Sequence, residues 1–89
     1  MVRVVFTANL RRHVDCPETA ARGSTVREAL DDVFRDNAIL RGYVLDDQAA
    51  LRRHMAILID GVPLRDRARL SDRVGESTTI HVLQALSGG

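Results

Sequence analysis

Apolar residues at alternate positions open the chain. Val2, Val4 and Phe6 share one parity, which predicts a strand with one buried face. After a polar stretch that predicts a loop, residues 16–21 are interpreted as the return strand of a hairpin. Pro17 has no amide hydrogen to donate, so it must lie at the start of that strand or on an edge.

The clearest helix signal follows at Ser24 and Thr25. Thr25 with Glu28 three residues later forms a capping-box pattern, and Ser24 is an alternative cap. Apolar residues then recur at helical spacing with charged residues opposite: Val26, Ala29, Leu30, Val33 and Phe34. We expect the helix to end near Asn37, because asparagine tolerates the left-handed conformation of a helix cap.

Residues 38–50 show no sustained period and are predicted to form a long connection. Three apolar residues are expected to pack beneath it: Ile39, Leu40 and Leu45. Residues 55–59 are then continuously apolar and end at Asp60-Gly61, a strong hairpin-turn signal. Residues 62–64 are predicted to form a short strand, which Pro63 keeps at an edge.

The last third predicts a single turn that closes the bottom of the core with Leu70 and Val74, followed by a final strand over residues 78–84. The order strand, strand, helix, strand, short strand, strand is that of an α+β protein with the β-grasp fold. We therefore expect a mixed sheet of four to five strands covered by one main helix. Residues 1–84 would form this domain, and residues 85–89 a flexible C-terminal tail.

Composition limits the class of function. The chain has 89 residues, 13 basic and 12 acidic, with the two signs interleaved. This charge pattern and the few aromatic residues disfavour nucleic-acid binding, and no segment is long and apolar enough for a membrane span. No signal-peptide pattern is present at the start, so we expect a cytoplasmic protein. All 13 basic residues are arginine; codon bias explains this most simply, and it leaves no lysine amine in the chain.

Little in the sequence points to catalysis. The single cysteine, Cys16, excludes an internal disulfide and is interpreted as a small buried apolar residue rather than a nucleophile. His13, His54 and His81 lie on separate predicted elements without metal-ligand spacing. The sequence therefore predicts no catalytic residues, no metal site and no bound cofactor.

Strand parity predicts one candidate docking patch. If alternate residues of the strands near 57 and 80 face the helix, an apolar set faces outward on two neighbouring strands: Ala56, Leu58, His81 and Leu83. Apolar surface of this kind is typical of partner sites. The alternative is that Leu58 and Leu83 are scattered leucines beneath the long loop.

The chain ends in Gly88-Gly89, a strip of backbone without side chains that fits a narrow channel. A frayed end is the simple alternative. The terminal diglycine, the opening strand, the Ser24–Leu30 helix start and the hairpin near Asp60-Gly61 together resemble the ubiquitin-like sulfur-carrier family of MoaD, ThiS and CysO. The resemblance covers essentially the whole chain.

The resemblance implies a protein substrate rather than an enzyme. An E1-like activating enzyme of the MoeB/ThiF type would use ATP to adenylate the carboxylate of Gly89, and a sulfur donor would convert it to a thiocarboxylate. The tail residues Leu86, Ser87 and Gly88 would enter the partner, and a sulfur-accepting biosynthetic enzyme would receive the sulfur for cysteine, molybdopterin, thiamine or a natural product. Two alternatives stay open: a modifier joined through Gly89 to lysines of other proteins, and an interaction module with an inert tail.

Overall fold

A computed structural model describes residues 1–7 and 18–84 of the chain. In these ranges the elements are, in chain order, β1 (Val2–Phe6), β2 (Glu18–Ala21), α1 (Val26–Phe34), α2 (Ala38–Val44), β3 (Met55–Ile59), β4 (Val62–Pro63) and β5 (Thr79–Gln84). The strands form a five-stranded sheet in the order β2-β1-β5-β3-β4. Strand β5 is parallel to β1, and the other neighbours are antiparallel.

One face of the sheet carries the core, as the alternation in β1 predicted. Val2, Val4 and Phe6 are buried. The sheet-facing residues of α1 pack onto the same core, and only Val33 of the predicted apolar stripe is partly exposed. Because buried apolar side chains line one face of each element, helix and sheet remove them from water together.

Helix α1 begins at the predicted cap with one difference in detail. The hydroxyl of Thr25 accepts a hydrogen bond from the amide of Glu28 at 3.2 Å. The Glu28 carboxylate accepts in return from the amide and the hydroxyl of Ser24, at 2.7 and 2.8 Å. Thr25 is therefore the N-cap, and Ser24 donates to Glu28 instead of capping the helix itself. The Ser24 donors lower the pKa of Glu28, because they stabilise its ionised form.

The prediction of a long connection over residues 38–50 is wrong at its start, where the chain forms α2. Helix α1 ends at Phe34, and Asn37 caps the next helix, its side-chain oxygen accepting from the amide of Leu40 at 3.0 Å. Asn37 has a φ of −148°, so it is not a left-handed C-cap. Leu40 is buried as expected, but Ile39 is 73% exposed because it lies on the outer side of α2.

The hairpin between β3 and β4 follows its turn signal. Asp60 and Gly61 both have positive φ, 49° and 85°, as a two-residue primed turn requires. Strand β4 lies at the sheet edge, where the missing amide of Pro63 leaves no ladder bond unmade.

The segment between β4 and β5 closes the core. Leu70 is buried and Val74 is partly buried against the core, as predicted. The turn itself lies over residues 67–69, just before Leu70, rather than between these two residues. The predicted return strand is present from Glu18, whereas Cys16 and Pro17 lie outside the described residues.

Candidate functional site

The pairing of β3 with β5 brings the four residues of the docking patch together. Ala56 lies opposite Leu83, and Leu58 lies opposite His81. The pair between them, Ile57 and Val82, has the other parity and is buried on the helix-facing side. The docking patch is therefore a contiguous set on the outer face of the two strands.

The side chains of the docking patch are half-buried rather than fully exposed. The large apolar residues that are strongly exposed in the described ranges lie elsewhere: Met1, Ile39, Tyr43 and Val62. Neighbouring strands shield the docking patch from the side, so it forms a flat surface instead of a projecting one.

Two further residues, which sequence parity alone did not identify, border the docking patch. Val5 of β1 is the parallel partner of His81, and Pro63 of β4 lies opposite Leu58. The parity of Val5 was visible in the sequence, but its place beside His81 depends on the parallel pairing of the first and last strands. These two residues extend the apolar surface across four strands.

The outer face also carries one ion pair, between Arg3 and Glu18, with an Nε–Oε1 distance of 2.9 Å. Both side chains are more than half exposed. Exposed pairs of this kind contribute about 0–1 kcal/mol to stability, because water screens them and both side chains lose conformational freedom. The pair therefore marks the β1–β2 side of the face without adding a reactive group.

A groove of about 500 Å³ beside β4 holds two carboxylates, Asp66 and Asp72, that are occupied with backbone contacts. Asp72 accepts hydrogen bonds from the amides of Arg65 and Asp66, at 3.0 and 2.9 Å. Asp66 accepts from the hydroxyl and amide of Ser71 and from the amide of Arg69. The Ser71 hydroxyl, together with the Arg69 amide, lowers the pKa of Asp66. These carboxylates hold the chain turn and are not poised as a general acid or base.

Among residues 1–7 and 18–84, no three His, Cys, Asp or Glu side chains are grouped closely enough to hold a metal ion. His54 precedes β3, whereas His81 lies within β5. His13 and Cys16 lie outside the described residues. Neither helix of the described ranges is long and apolar enough to cross a bilayer.

The C-terminal tail follows the last residue of a central strand. Strand β5 occupies the middle of the sheet, and its last residue, Gln84, lies opposite Met55. Leu86, Ser87, Gly88 and Gly89 lie outside the described residues, so their roles stay predictions. The segment that contains them begins at the end of β5, beside the first residue of β3.

Solved structures match this fold from end to end. A chain of the Amycolatopsis orientalis BexX/CysO complex is 27% identical with a TM-score of 0.85, and the match covers 100% of both chains. Small archaeal modifier protein 1 (SAMP1) from Methanosarcina acetivorans is 28% identical with a TM-score of 0.82, covering 99% of this chain and 95% of that one. Mycobacterium tuberculosis CysO is 19% identical with a TM-score of 0.82, covering 97% and 100%. Neither a family model nor a curated protein matches the sequence.

Fold and matches together define the class: a ubiquitin-like β-grasp protein. Within that class, the chain is similar to CysO and to the modifier protein SAMP1, in agreement with the resemblance seen in the sequence.

Proposed function

We propose that this protein is a sulfur carrier whose C-terminal Gly89 is adenylated and then converted to a thiocarboxylate. The observation that carries the proposal is the end-to-end likeness to a chain of the BexX/CysO complex, combined with the terminal Gly88-Gly89. The central position of β5 adds support, because a tail that starts from a fixed point can be aimed into a partner. We place this function in the cytoplasm.

The chemistry is that of carboxylate activation. An oxygen of the Gly89 carboxylate attacks the α-phosphate of ATP, and pyrophosphate leaves. A sulfur nucleophile from the donor then displaces AMP and leaves a thiocarboxylate on the chain. An E1-like enzyme of the MoeB/ThiF type would supply ATP and the catalytic groups, and a sulfur-accepting biosynthetic enzyme would take the product. The carrier contributes a side-chain-free end and the surface that positions it.

Gly88 and Gly89 have a steric role in this proposal. A Cβ at either position adds bulk in a channel that must admit bare backbone. We expect Gly89→Ala to lower the rate of adenylation severely while thermal unfolding stays unchanged, since the residue follows the last strand. Normal adenylation of that variant would contradict the steric argument.

The docking patch is proposed to contact the activating enzyme. Leu58 and Leu83 offer apolar area next to the strand that leads into the tail, and burying such area drives association. Leu58→Asp should weaken binding to the activating enzyme strongly. Ile39→Asp is the matched control, because it places the same charge on the exposed side of α2. If both variants fold and bind equally well, the docking patch is not the contact surface.

The direct test is the mass of the C-terminal tryptic peptide after incubation with the activating enzyme, ATP and a sulfur donor. Trypsin cuts after Arg73 and releases the peptide 74–89, which contains neither methionine nor cysteine. Exchange of oxygen for sulfur therefore cannot be mistaken for oxidation of methionine or cysteine. The exchange should require ATP, and an alkylating reagent should trap the product. An unchanged carboxylate with the activating enzyme of the native host would overturn the proposal.

A second candidate function is protein modification, favoured by the 28% identity with the archaeal modifier SAMP1. In that case Gly89 would form isopeptide bonds with lysines of other proteins, visible as a covalent ladder on a denaturing gel. The absence of lysine from this chain excludes self-chains through ε-amines. A protein whose binding is indifferent to loss of Gly88-Gly89 would instead be an interaction module.

A further inference from the structure

Three arginines and one histidine meet at the corner of the sheet that precedes β3: Arg52, Arg53, Arg67 and His54. Two of them hold the backbone. Nη2 of Arg67 donates to the carbonyl oxygens of Arg52 and Met55, each at 2.8 Å. Nε of Arg52 donates to the carbonyl of Gly42 at 2.7 Å. Hydrogen bonds from two guanidinium groups thus hold the turn that leads into β3.

The other two side chains of this corner have no partner among the residues that the structure describes. Arg53 and His54 are both exposed, and within residues 1–7 and 18–84 neither side chain makes a hydrogen bond or an ion pair. We name these two residues the exit pair. Because Arg67 and Arg52 fix the turn beneath them, the exit pair is presented from a rigid backbone.

The register of the sheet gives the exit pair its significance. Met55, which follows the exit pair directly, lies opposite Gln84, the last residue of β5. Opposed Cα atoms in an antiparallel pair are about 4.5–5.5 Å apart. The exit pair therefore lies beside the point from which the chain continues towards Gly89. The other end of β5 lies beside an acidic residue instead: Asp60, in the turn between β3 and β4, accepts a hydrogen bond from the amide of Thr79 at 2.9 Å.

We propose that the exit pair binds an acidic protein surface at the mouth of the channel that receives the tail. This inference rests on the proposed function, because it assigns a charge to the surface of the activating partner. Opposite charges on two facing surfaces accelerate association and fix orientation more than they add affinity. A cationic corner next to the tail origin would orient the C-terminus before it enters the partner. The chain as a whole carries a net charge of only +1, so the effect depends on local placement and not on total charge.

The test measures kcat/KM of ATP-dependent adenylation for Arg53→Gln and for the charge reversal Arg53→Glu. Loss of one exposed charge contact should lower kcat/KM by about threefold, and reversal by about tenfold. Both deficits should shrink towards the wild-type value as salt is raised, since the screening length falls to about 3 Å at 1 M. The loss should appear in KM, with kcat little changed.

Arg22→Gln is the matched control. Arg22 is exposed and follows β2, whose last residue pairs with Val2 at the end of the sheet away from Gln84. It removes the same unit of charge, so net charge alone would affect both variants equally. His54→Glu provides a second variant at the exit pair, should Arg53→Glu fold poorly by thermal unfolding.

The outcomes separate the two levels of the proposal. If wild-type protein is adenylated and the exit-pair variants match Arg22→Gln at every salt concentration, the exit pair has no role and the carrier function stands. If the exit-pair variants are impaired without salt dependence, the contact is not electrostatic and the inference is wrong. If wild-type protein is not adenylated at all, the proposed function fails and the inference falls with it.

Discussion

Substitution of Arg53 by lysine would convert a non-nucleophilic cation beside the tail origin into an amine. Arginine keeps its proton at any physiological pH. Lysine has a pKa of about 10.4, and its neutral amine attacks activated acyl groups. The chain contains no lysine, so wild-type protein has no such amine. We predict that Arg53→Lys, once adenylated on Gly89, acylates itself and releases AMP.

The reach of the tail sets the size of this effect. Five residues follow Gln84, and five extended residues span up to about 18 Å. Position 53 lies two residues before Met55, the partner of Gln84, so it is within about 13 Å of Gln84 even if those residues are extended. A tether of this length gives an effective concentration in the millimolar range, about a hundredfold above protein present at 10 μM. An amide within one molecule should therefore form faster than an amide between two molecules of the protein.

Protonation of the new lysine makes the reaction dependent on pH. An amine with a pKa of about 10.4 is about 0.4% neutral at pH 8 and about 4% neutral at pH 9. The rate of self-acylation should therefore rise about tenfold between these values. The charge of the exit pair is kept in Arg53→Lys, so KM for adenylation should stay close to that of wild-type protein.

Mass spectrometry measures the product directly. Incubation with activating enzyme and ATP, without a sulfur donor, should give a species lighter by one water and a branched tryptic peptide that joins position 53 to Gly89. Arg22→Lys is the control, because it lies at least about 20 Å behind Gln84 along the strand direction. Equal cross-linking in both variants would refute the reasoning from reach. Normal adenylate formation by Arg53→Lys without any cross-link would refute the prediction of self-acylation.

Three further predictions concern the scaffold. Gly23→Ala should lower the free energy of unfolding by about 3 kcal/mol or more, because its Cβ would lie 2.7 Å from the amide nitrogen of Ala29. Gly61→Ala should lower it by only about 1 kcal/mol, because the position has open space around it and only its positive φ is unfavourable. Denaturant unfolding measures both free energies. Equal costs would show that the close approach at Gly23 is unimportant. Asn37→Ala should cost about 1 kcal/mol and reduce helicity by circular dichroism, and an unchanged spectrum would contradict its capping role. The pKa of Asp66 is lowered from its ordinary value of 3.8, so its ionised carboxylate stabilises the folded state above that pH, and this stabilisation is lost as the pH falls through the pKa of the folded state. The stability of Asp66→Asn should therefore depend less on acid than that of wild-type protein. An unchanged dependence of unfolding on pH would count against this contribution.

Local signals in the sequence accounted for most of the scaffold. The alternation in β1, the cap at Thr25 and the turn at Asp60-Gly61 each involve residues a few positions apart, so each can be read without knowledge of the rest of the chain. Helix α2 was missed because it has only seven residues and contains Gly42, which weakens helix propensity.

Signals for α2 were nevertheless present. Asn37 is a favoured N-cap residue, and Leu40 and Val44 are apolar at a spacing of four. Both leucine and valine are buried in the core, which supplies the stability that propensity does not. The spacing was too short to stand out from an irregular apolar segment, and packing decided the conformation.

The sequence by itself determined the parity of each strand, the capped helix, the hairpin turn and the two glycines at positions 88 and 89. These are properties of neighbouring residues, whose spacing sets which side chains share a face. Only the tertiary structure decided that β5 lies between β1 and β3, which places Val5 beside His81 and Arg53 beside the origin of the tail. Strand order follows from how apolar faces pack across long separations in the chain, and no local pattern carries that information.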